Sequence, residues 1–451
     1  MISYEDTRHA VYDPHDPQYW DEQSLNKELD RNYDICHGCR MCFKFCPTFP
    51  TLFDALDSHA DGDVTKLTAQ DNEEILNSCF QCKLCYTNCP YTDADNHAFN
   101  MDFPALLQRA AMIRAKKSGV SLRDKLFQDP DLIGKLNSGI IAPVVNFFFK
   151  LKLFRLVLEA IIGIHRNKLM PAFHLKTFKQ WFKKRAAIDT PKDSVVLFST
   201  CYVNYNNPEV GKDTVAVLEK NGVQVIHPEA QVCCGQPAIN TGDKKLAEKK
   251  IKQNIETLLP EVEAGKKIIA INPTCSMTLK KEFTLMMAPG EWRDKAEKIA
   301  AATRDLGEYL FELKKEDNLS RDYKSTPGTV AYHVPCHLRL QNIGFRSRDL
   351  MKTIPGAKVK VTTECCGHDG TWAMKKEYFE PSLKVGKKAF DGLKEANGNC
   401  MSSDCPLAAL QLKQGTDAKT LPVHPVQVLA KAYKEPQDGG YEKSTNEVDN
   451  G

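Results

Sequence analysis

From Ser194 onward, apolar residues come in short runs separated by longer polar stretches of helical spacing. SVVLFSTC (194–201) is a β-rich run that ends at a cysteine, and a helix is predicted around 208–221. The strand VQVIHPE (223–229) follows, then Cys233-Cys234-Gly235, a polar helix over 243–260, and KIIAINPTC (267–275), a second strand ending at a cysteine. The same order recurs as TVAYHVPC (329–336), a helix near 346–353, AKVKVTTE (357–364), Cys365-Cys366-Gly367, a helix at 377–396 and CMSSDC (400–405). Corresponding cysteines lie 135, 132, 132 and 130 residues apart, so four anchors recur within five residues. That is an internal duplication, and each copy should form a small α/β unit with helices flanking a largely parallel sheet. One helix over 291–315 and the polar SRDYKSTPG (320–328) are expected to join the copies.

Upstream, FPALLQRAAMIRAKKSG (103–119) reads as a helix. The stretch 141–185 is apolar but basic, with ten Lys and Arg against the single acid Glu159. Within it, FFFKLKLFRLVLEAIIGI (147–164) predicts a helix whose only polar stripe is Lys152, Arg155 and Glu159. So apolar a helix must cover its surface. It can do so in the core, against a partner subunit, or in the interface of an anionic membrane with Lys168, Lys176, Lys179, Lys183, Lys184 and Arg185 at headgroup level. No run of eighteen apolar residues occurs, so no membrane-spanning helix is expected. The polar residues 435–451 are expected to be disordered.

With 42% hydrophobic and 26% charged residues and a net charge of +3, the 451-residue composition is that of ordinary globular domains. No basic tract is interleaved with aromatics, and no nucleic-acid partner is expected. The 17 cysteines change the picture. An odd, large number in so long a chain is no disulfide scaffold, and the N-terminus has no apolar signal region. The thiols therefore read as metal ligands in a reducing cytosol.

Cys36-x-x-Cys39-x-x-Cys42-x-x-x-Cys46-Pro47 recurs as Cys79-x-x-Cys82-x-x-Cys85-x-x-x-Cys89-Pro90. A [4Fe–4S] cube needs one thiolate per iron, and in two-cluster ferredoxins the cysteine before proline ligates the other cluster. The spacing therefore assigns Cys36, Cys39, Cys42 and Cys89 to one cluster, and Cys79, Cys82, Cys85 and Cys46 to its partner. Zinc sites use paired C-x-x-C knuckles, which three evenly spaced cysteines and a fourth do not match. Helix-like DNEEILNSCFQCKLC, between and within the motifs, points to an α-helical ferredoxin over 30–118, followed by a basic, apolar connector over 119–190.

Cys201…Cys233-Cys234-Gly235…Cys275 (within 194–315) and Cys336…Cys365-Cys366-Gly367…Cys405 (within 329–434) resemble the paired CCG cysteine-rich domains of heterodisulfide reductase. A helical two-cluster ferredoxin followed by two CCG units also resembles the C subunit of anaerobic glycerol-3-phosphate dehydrogenase and the iron–sulfur subunits of glycolate and lactate oxidases. The resemblance implies one or two further iron–sulfur centres at these eight cysteines. It also implies electron transfer between a flavoprotein partner and a quinone or other acceptor, in a cytoplasmic chain or one peripheral on the inner face of the cytoplasmic membrane. The alternative is a reductase acting directly on a disulfide or persulfide at a CCG centre. The sequence departs from the family's frequent fifth cysteine: Thr278 and Ala408 stand there. Cys400, five residues up an extended strand, would lie roughly 16 Å from Cys405. His333, His337, Glu364, His368 and Asp369 crowd the second site and are candidates for proton delivery or for orienting ligands.

Overall fold

The computed structural model describes residues 2–435; the tail expected over 435–451 lies outside them but for Glu435. The first module is helical, built from Glu22–Cys39, Thr48–Ser58, Ala69–Ser78, Leu84–Asn88 and Phe103–Ser118. Asp21, Thr68 and Asp102 each cap the helix that follows by accepting from its first free backbone N–H groups. Tyr33, Phe49, Leu52, Leu56, Ile75 and Leu106 fill its core. Residues 2–20 are strapped onto it by the fully buried Arg109, whose guanidinium donates to the carbonyls of His9, Gln18 and Tyr19 at 2.7–2.8 Å.

The duplicated region forms two parallel sheets. Strands β1 (Asp193–Phe198), β2 (Val223–Ile226), β3 (Ile268–Ala270) and β4 (Thr303–Asp305) are ordered β2-β1-β3-β4. Strands β5 (Thr329–His333), β6 (Lys358–Thr362) and β7 (Cys400–Ser403) are ordered β6-β5-β7. Val195–Phe198 is buried throughout, as an apolar run in a sheet covered on both faces should be. The edge strand β6 instead alternates, with Lys358 and Lys360 outward and Val359 and Val361 inward. The two sheets share one core, in which Leu197, Tyr309, Tyr332, Leu350 and Val428 meet.

Two expected helices are broken. The run 291–315 divides into Glu291–Ala302, β4 and Leu306–Lys315. Asp305 caps the second helix in a capping box with Glu308, while the buried Thr303 pairs with Ile268 of β3. In the second copy this fourth strand shrinks to one bridge, Ser402 to Val423, before the helix Pro425–Ala432.

The run 147–164 also fails as one helix. Extended backbone at Leu151 separates Ala142–Lys150 from Lys152–Ile161. Two residues of its polar stripe turn inward, while Lys152 stays exposed. Arg155, 5% exposed, donates to the carbonyls of His165, Arg166 and Lys168, and Glu159, 8% exposed, accepts from Arg166. The apolar side is left outside: Leu153 is 75% exposed and Ile161 78%. Lys168, expected at headgroup level, is buried against Gln411, while Lys183 and Arg185 pair with Glu229 and Glu219.

Candidate iron–sulfur centres

Cys36, Cys39, Cys42 and Cys89 line one cavity, and Cys79 with the eight CCG cysteines lines another. Arg40 and Lys83 hold equivalent places directly after the second cysteine of each N-terminal motif, and both take left-handed backbone, with φ of +53° and +58°. Each kink redirects the chain between the second and third thiols. Cys89 joins Cys36, Cys39 and Cys42 around one cavity. Burial pushes the Cys36 thiol far above its usual range, and Cys42, Cys89 and Cys39 raise it further. Burial likewise holds Cys79 up to about 12, with Cys46 adding to it, and Cys85 is raised by burial and then by Cys46 and Cys79. The chain thus brings each pre-proline cysteine to the opposite motif.

In both CCG units the cysteines lie beyond the carboxyl ends of the strands, where open α/β sheets gather ligands. Their local setting differs from the expected strand ends: Cys201 and Cys336 open short helices, Cys275 lies within Pro273–Met277, and Cys405 caps Pro406–Thr416. Cys201, Cys233, Cys234 and Cys275 come together in the lining of one cavity. Cys336, Cys365, Cys366 and Cys405 line the same cavity of about 200 Å³, and burial pushes Cys365 up to about 12 and Cys405 to about 11. Cys400 sits at the far end of β7 and is absent from the cavity lining.

The four groups are contiguous. The Cys82 thiol is raised by burial and then by Cys365, Cys336, Cys46 and Cys85, so the second N-terminal group abuts the second CCG unit. Phe80 packs on Trp372 with ring centroids 4.7 Å apart, and the Trp372 indole donates to the Asn77 carbonyl at 3.0 Å. The half-buried Lys83 pairs with Glu282 of the first CCG unit, and Cys405 in turn raises the Cys275 thiol.

Among the described residues, no three of His, Cys, Asp and Glu close on one point as a single ion requires. A cluster asks for ligands at separate corners, one per iron. Thiols this costly to ionise in place lose their protons outright when they coordinate a cation. Crowded groups of four half-buried to buried thiols suit iron–sulfur clusters, and the donor set fits the group.

Of the acid–base candidates, His333 accepts from the Ser403 hydroxyl at 3.2 Å and donates to the Glu364 carbonyl at 3.1 Å. His337 accepts from the Thr274 hydroxyl at 2.9 Å and donates to the Gln81 carbonyl at 3.0 Å, so it joins all three modules. Burial lowers both imidazoles to about 4 and keeps them neutral. Glu364 is exposed at the cavity's edge, and Asp369, raised to about 7 by burial, accepts from Asn240 of the first unit at 3.2 Å. His368 is buried, and neither ring nitrogen has a hydrogen-bond partner among the described residues.

A family profile described as a cysteine-rich domain, CCG, matches residues 195–280 and 330–413. A second, the citrate utilization protein B Fer4-like domain, matches residues 29–118. Over 411 residues, 89% of this chain and 99% of the relative, the sequence is 30% identical to the C subunit of anaerobic glycerol-3-phosphate dehydrogenase from Escherichia coli (strain K12). The chain belongs to that family. Lactate utilization protein A of Bacillus cytotoxicus is 32% identical over 215 residues, 47% of this chain and 87% of that protein. An uncharacterized iron–sulfur protein of Methanococcus maripaludis is 25% identical over 378 residues, 79% of this chain and 71% of that protein. The expected fold class, a helical Fer4-like domain followed by two CCG units, holds for this family member.

Two features at the site had no warning in the residue pattern. Thr200, just before Cys201, has φ +68° and ψ 155°, a region that is essentially glycine-only and costs about 1–3 kcal/mol. Its hydroxyl accepts from the Val203 N–H at 3.3 Å, and packing holds the strained turn directly beside a cluster-site thiol. Gln81, with φ +52°, presents its carbonyl to His337. Left-handed backbone at a glutamine or a threonine carries no compositional mark.

Proposed function

We propose that this chain is the iron–sulfur electron-transfer subunit of an oxidoreductase complex, accepting electrons from a flavoprotein partner and passing them to a quinone or similar acceptor. Clusters held by such thiolates store and pass single electrons. Cys36, Cys39, Cys42 and Cys89 would hold one [4Fe–4S] cluster, and Cys79, Cys82, Cys85 and Cys46 the other. Cys336, Cys365, Cys366 and Cys405, and then Cys201, Cys233, Cys234 and Cys275, would hold the centres beyond them. The observation that carries this reading is the junction of Cys82 with Cys336 and Cys365. It turns two separate ligand sets into one continuous, water-poor path. The alternative, direct reduction of a disulfide, needs a proton donor at a CCG centre; His333 and His337 commit both ring nitrogens to fixed partners, which leaves His368 and Asp369 for that role.

The outward apolar face favours an acceptor in the membrane. Ile140, Phe147, Leu153 and Ile161 are exposed along it, as are Lys125, Lys135, Lys150, Lys152 and Lys176. Every acid between residues 119 and 176 is turned inward and paired: Asp124 with Lys375, Asp129 and Asp131 with Lys250, and Glu159 with Arg166. Apolar residues with cations alone suit the interface of an anionic bilayer. Among the described residues no single helix is long and apolar enough to span one.

The test is turnover of the anaerobically purified holoprotein. Reduced chemically, it should pass electrons to a short-chain quinone and leave a model disulfide intact. Steady disulfide turnover by the isolated chain would overturn the subunit reading. Flotation with anionic but not neutral liposomes is expected, and sedimentation free of both would remove the membrane site.

A further inference from the structure

The duplication makes an internal control. Gln236 and His368 follow their CCG motifs directly and lie 132 residues apart, as Cys234 and Cys366 do; Thr278 and Ala408 lie 130 apart, as Cys275 and Cys405 do. In the first unit these two positions close on each other. The Thr278 hydroxyl stands 2.9 Å from Gln236 Oε1 and 2.6 Å from the Thr274 carbonyl, and Gln236 Nε2 donates to Asn240 Oδ1 at 2.7 Å. In the second unit the hydroxyl is replaced by the methyl of Ala408, and the amide by an imidazole. His368 is 7% exposed, lines the cavity with Cys336, Cys365, Cys366, Cys405 and Ala408, and has neither nitrogen hydrogen-bonded among the described residues.

A buried imidazole with both nitrogens unmet is costly. Buried polar groups in native proteins almost always have a partner, and an exception points to an unseen ion or water. Lys168 bonds to Gln411 and, among the described residues, makes no hydrogen bond to His368.

We propose that His368 is a metal ligand: its imidazole binds an iron of the centre at the second CCG unit, on the side where Ala408 supplies no thiolate. The second centre is then held by four cysteines and one histidine, and the first by four cysteines with its Gln236–Thr278 corner sealed. This rests on the reading that the second unit holds iron. The two centres would therefore differ in their ligand sets.

The test uses the full chain, purified anaerobically and reduced stepwise, with iron quantitation and pulsed EPR for nitrogen coupling. Iron clearly above about eight per chain, together with a nitrogen coupling that changes on ¹⁵N-histidine labelling of the wild-type protein, is the expected result. The coupling should vanish in His368→Ala and in His368→Cys, with the thiolate variant keeping its iron. Extra iron without any histidine nitrogen coupling overturns the ligand and leaves the proposed function standing. So does a coupling that persists in both variants. Iron of about eight per chain overturns occupancy of the second unit itself, and the ligand with it.

Discussion

Gly235 and Gly367 occupy the same place in the two repeats, with φ of +95° and +70°, and alanine should nevertheless affect them unequally. Positive φ costs a non-glycine residue roughly 1–2 kcal/mol, and both variants carry that term. At Gly235 the nearest atoms to a new Cβ, the Ala247 carbonyl oxygen and Ile251 Cγ1, stand 3.6 Å away, an ordinary contact. At Gly367 the same Cβ would lie 2.0 Å from the Ser382 carbonyl oxygen and 3.1 Å from the Gly386 nitrogen, both in the helix Phe379–Ala396. Helix backbone yields little, so overpacking adds about 1–3 kcal/mol. Gly235→Ala should therefore lose about 1–2 kcal/mol and Gly367→Ala about 2–5 kcal/mol. The displaced segment in the second case carries Cys365 and Cys366, so the loss should fall on that site's iron. Anaerobic thermal melts with iron analysis and EPR read both effects. Gly235→Ala should keep its full iron content, and Gly367→Ala should lose the second unit's signal while the ferredoxin-type signals remain. Equal destabilisation, or a larger iron loss from Gly235→Ala, would refute the assignment of the strain.

Asp305 is raised to about 7 by burial and then by the charge of Asp404. Its unfolded pKa is near 3.9, so the folded chain binds more protons across roughly pH 4–7 and stability falls as pH rises through that window. An asparagine at this position would keep the helix cap without the charge. Asp305→Asn should therefore stabilise the fold at pH 8 by on the order of 1 kcal/mol, read as a higher melting temperature, and change little at pH 4; a larger gain at acid pH would contradict the sign. Removing the guanidinium in Arg109→Leu leaves the carbonyls of His9, Gln18 and Tyr19 without their donor, at roughly 1–3 kcal/mol each where they stay buried. Limited proteolysis should then cut within residues 2–20 first, and an unchanged cleavage pattern would count against the strap.

The cysteine spacing and the duplication were legible because ligand sets and repeats leave fixed offsets in the chain. Strands β1, β2, β5 and β6 were legible from apolar runs of the right length. The break at β4 had its mark in Asp305 and Glu308, three residues apart, but the helical periodicity on both sides concealed it. The inward turn of Arg155 and Glu159 was not legible, because the carbonyls they satisfy belong to a loop whose path the helix itself determines. The meeting of Cys82 with Cys336 and Cys365 rests on contacts across some 250 residues, for which a single chain carries no local pattern.

The imidazole of His337 gives these modules a shared fate. One nitrogen is met by the first repeat and the other by the helical module, so deleting either neighbour strands a polar atom inside the remainder. The duplicated units and the helical module are tied to one another through this one ring. Halving the chain would not recover an ancestral single unit, and excising the helical module would leave the second repeat with a raw, incompletely bonded face.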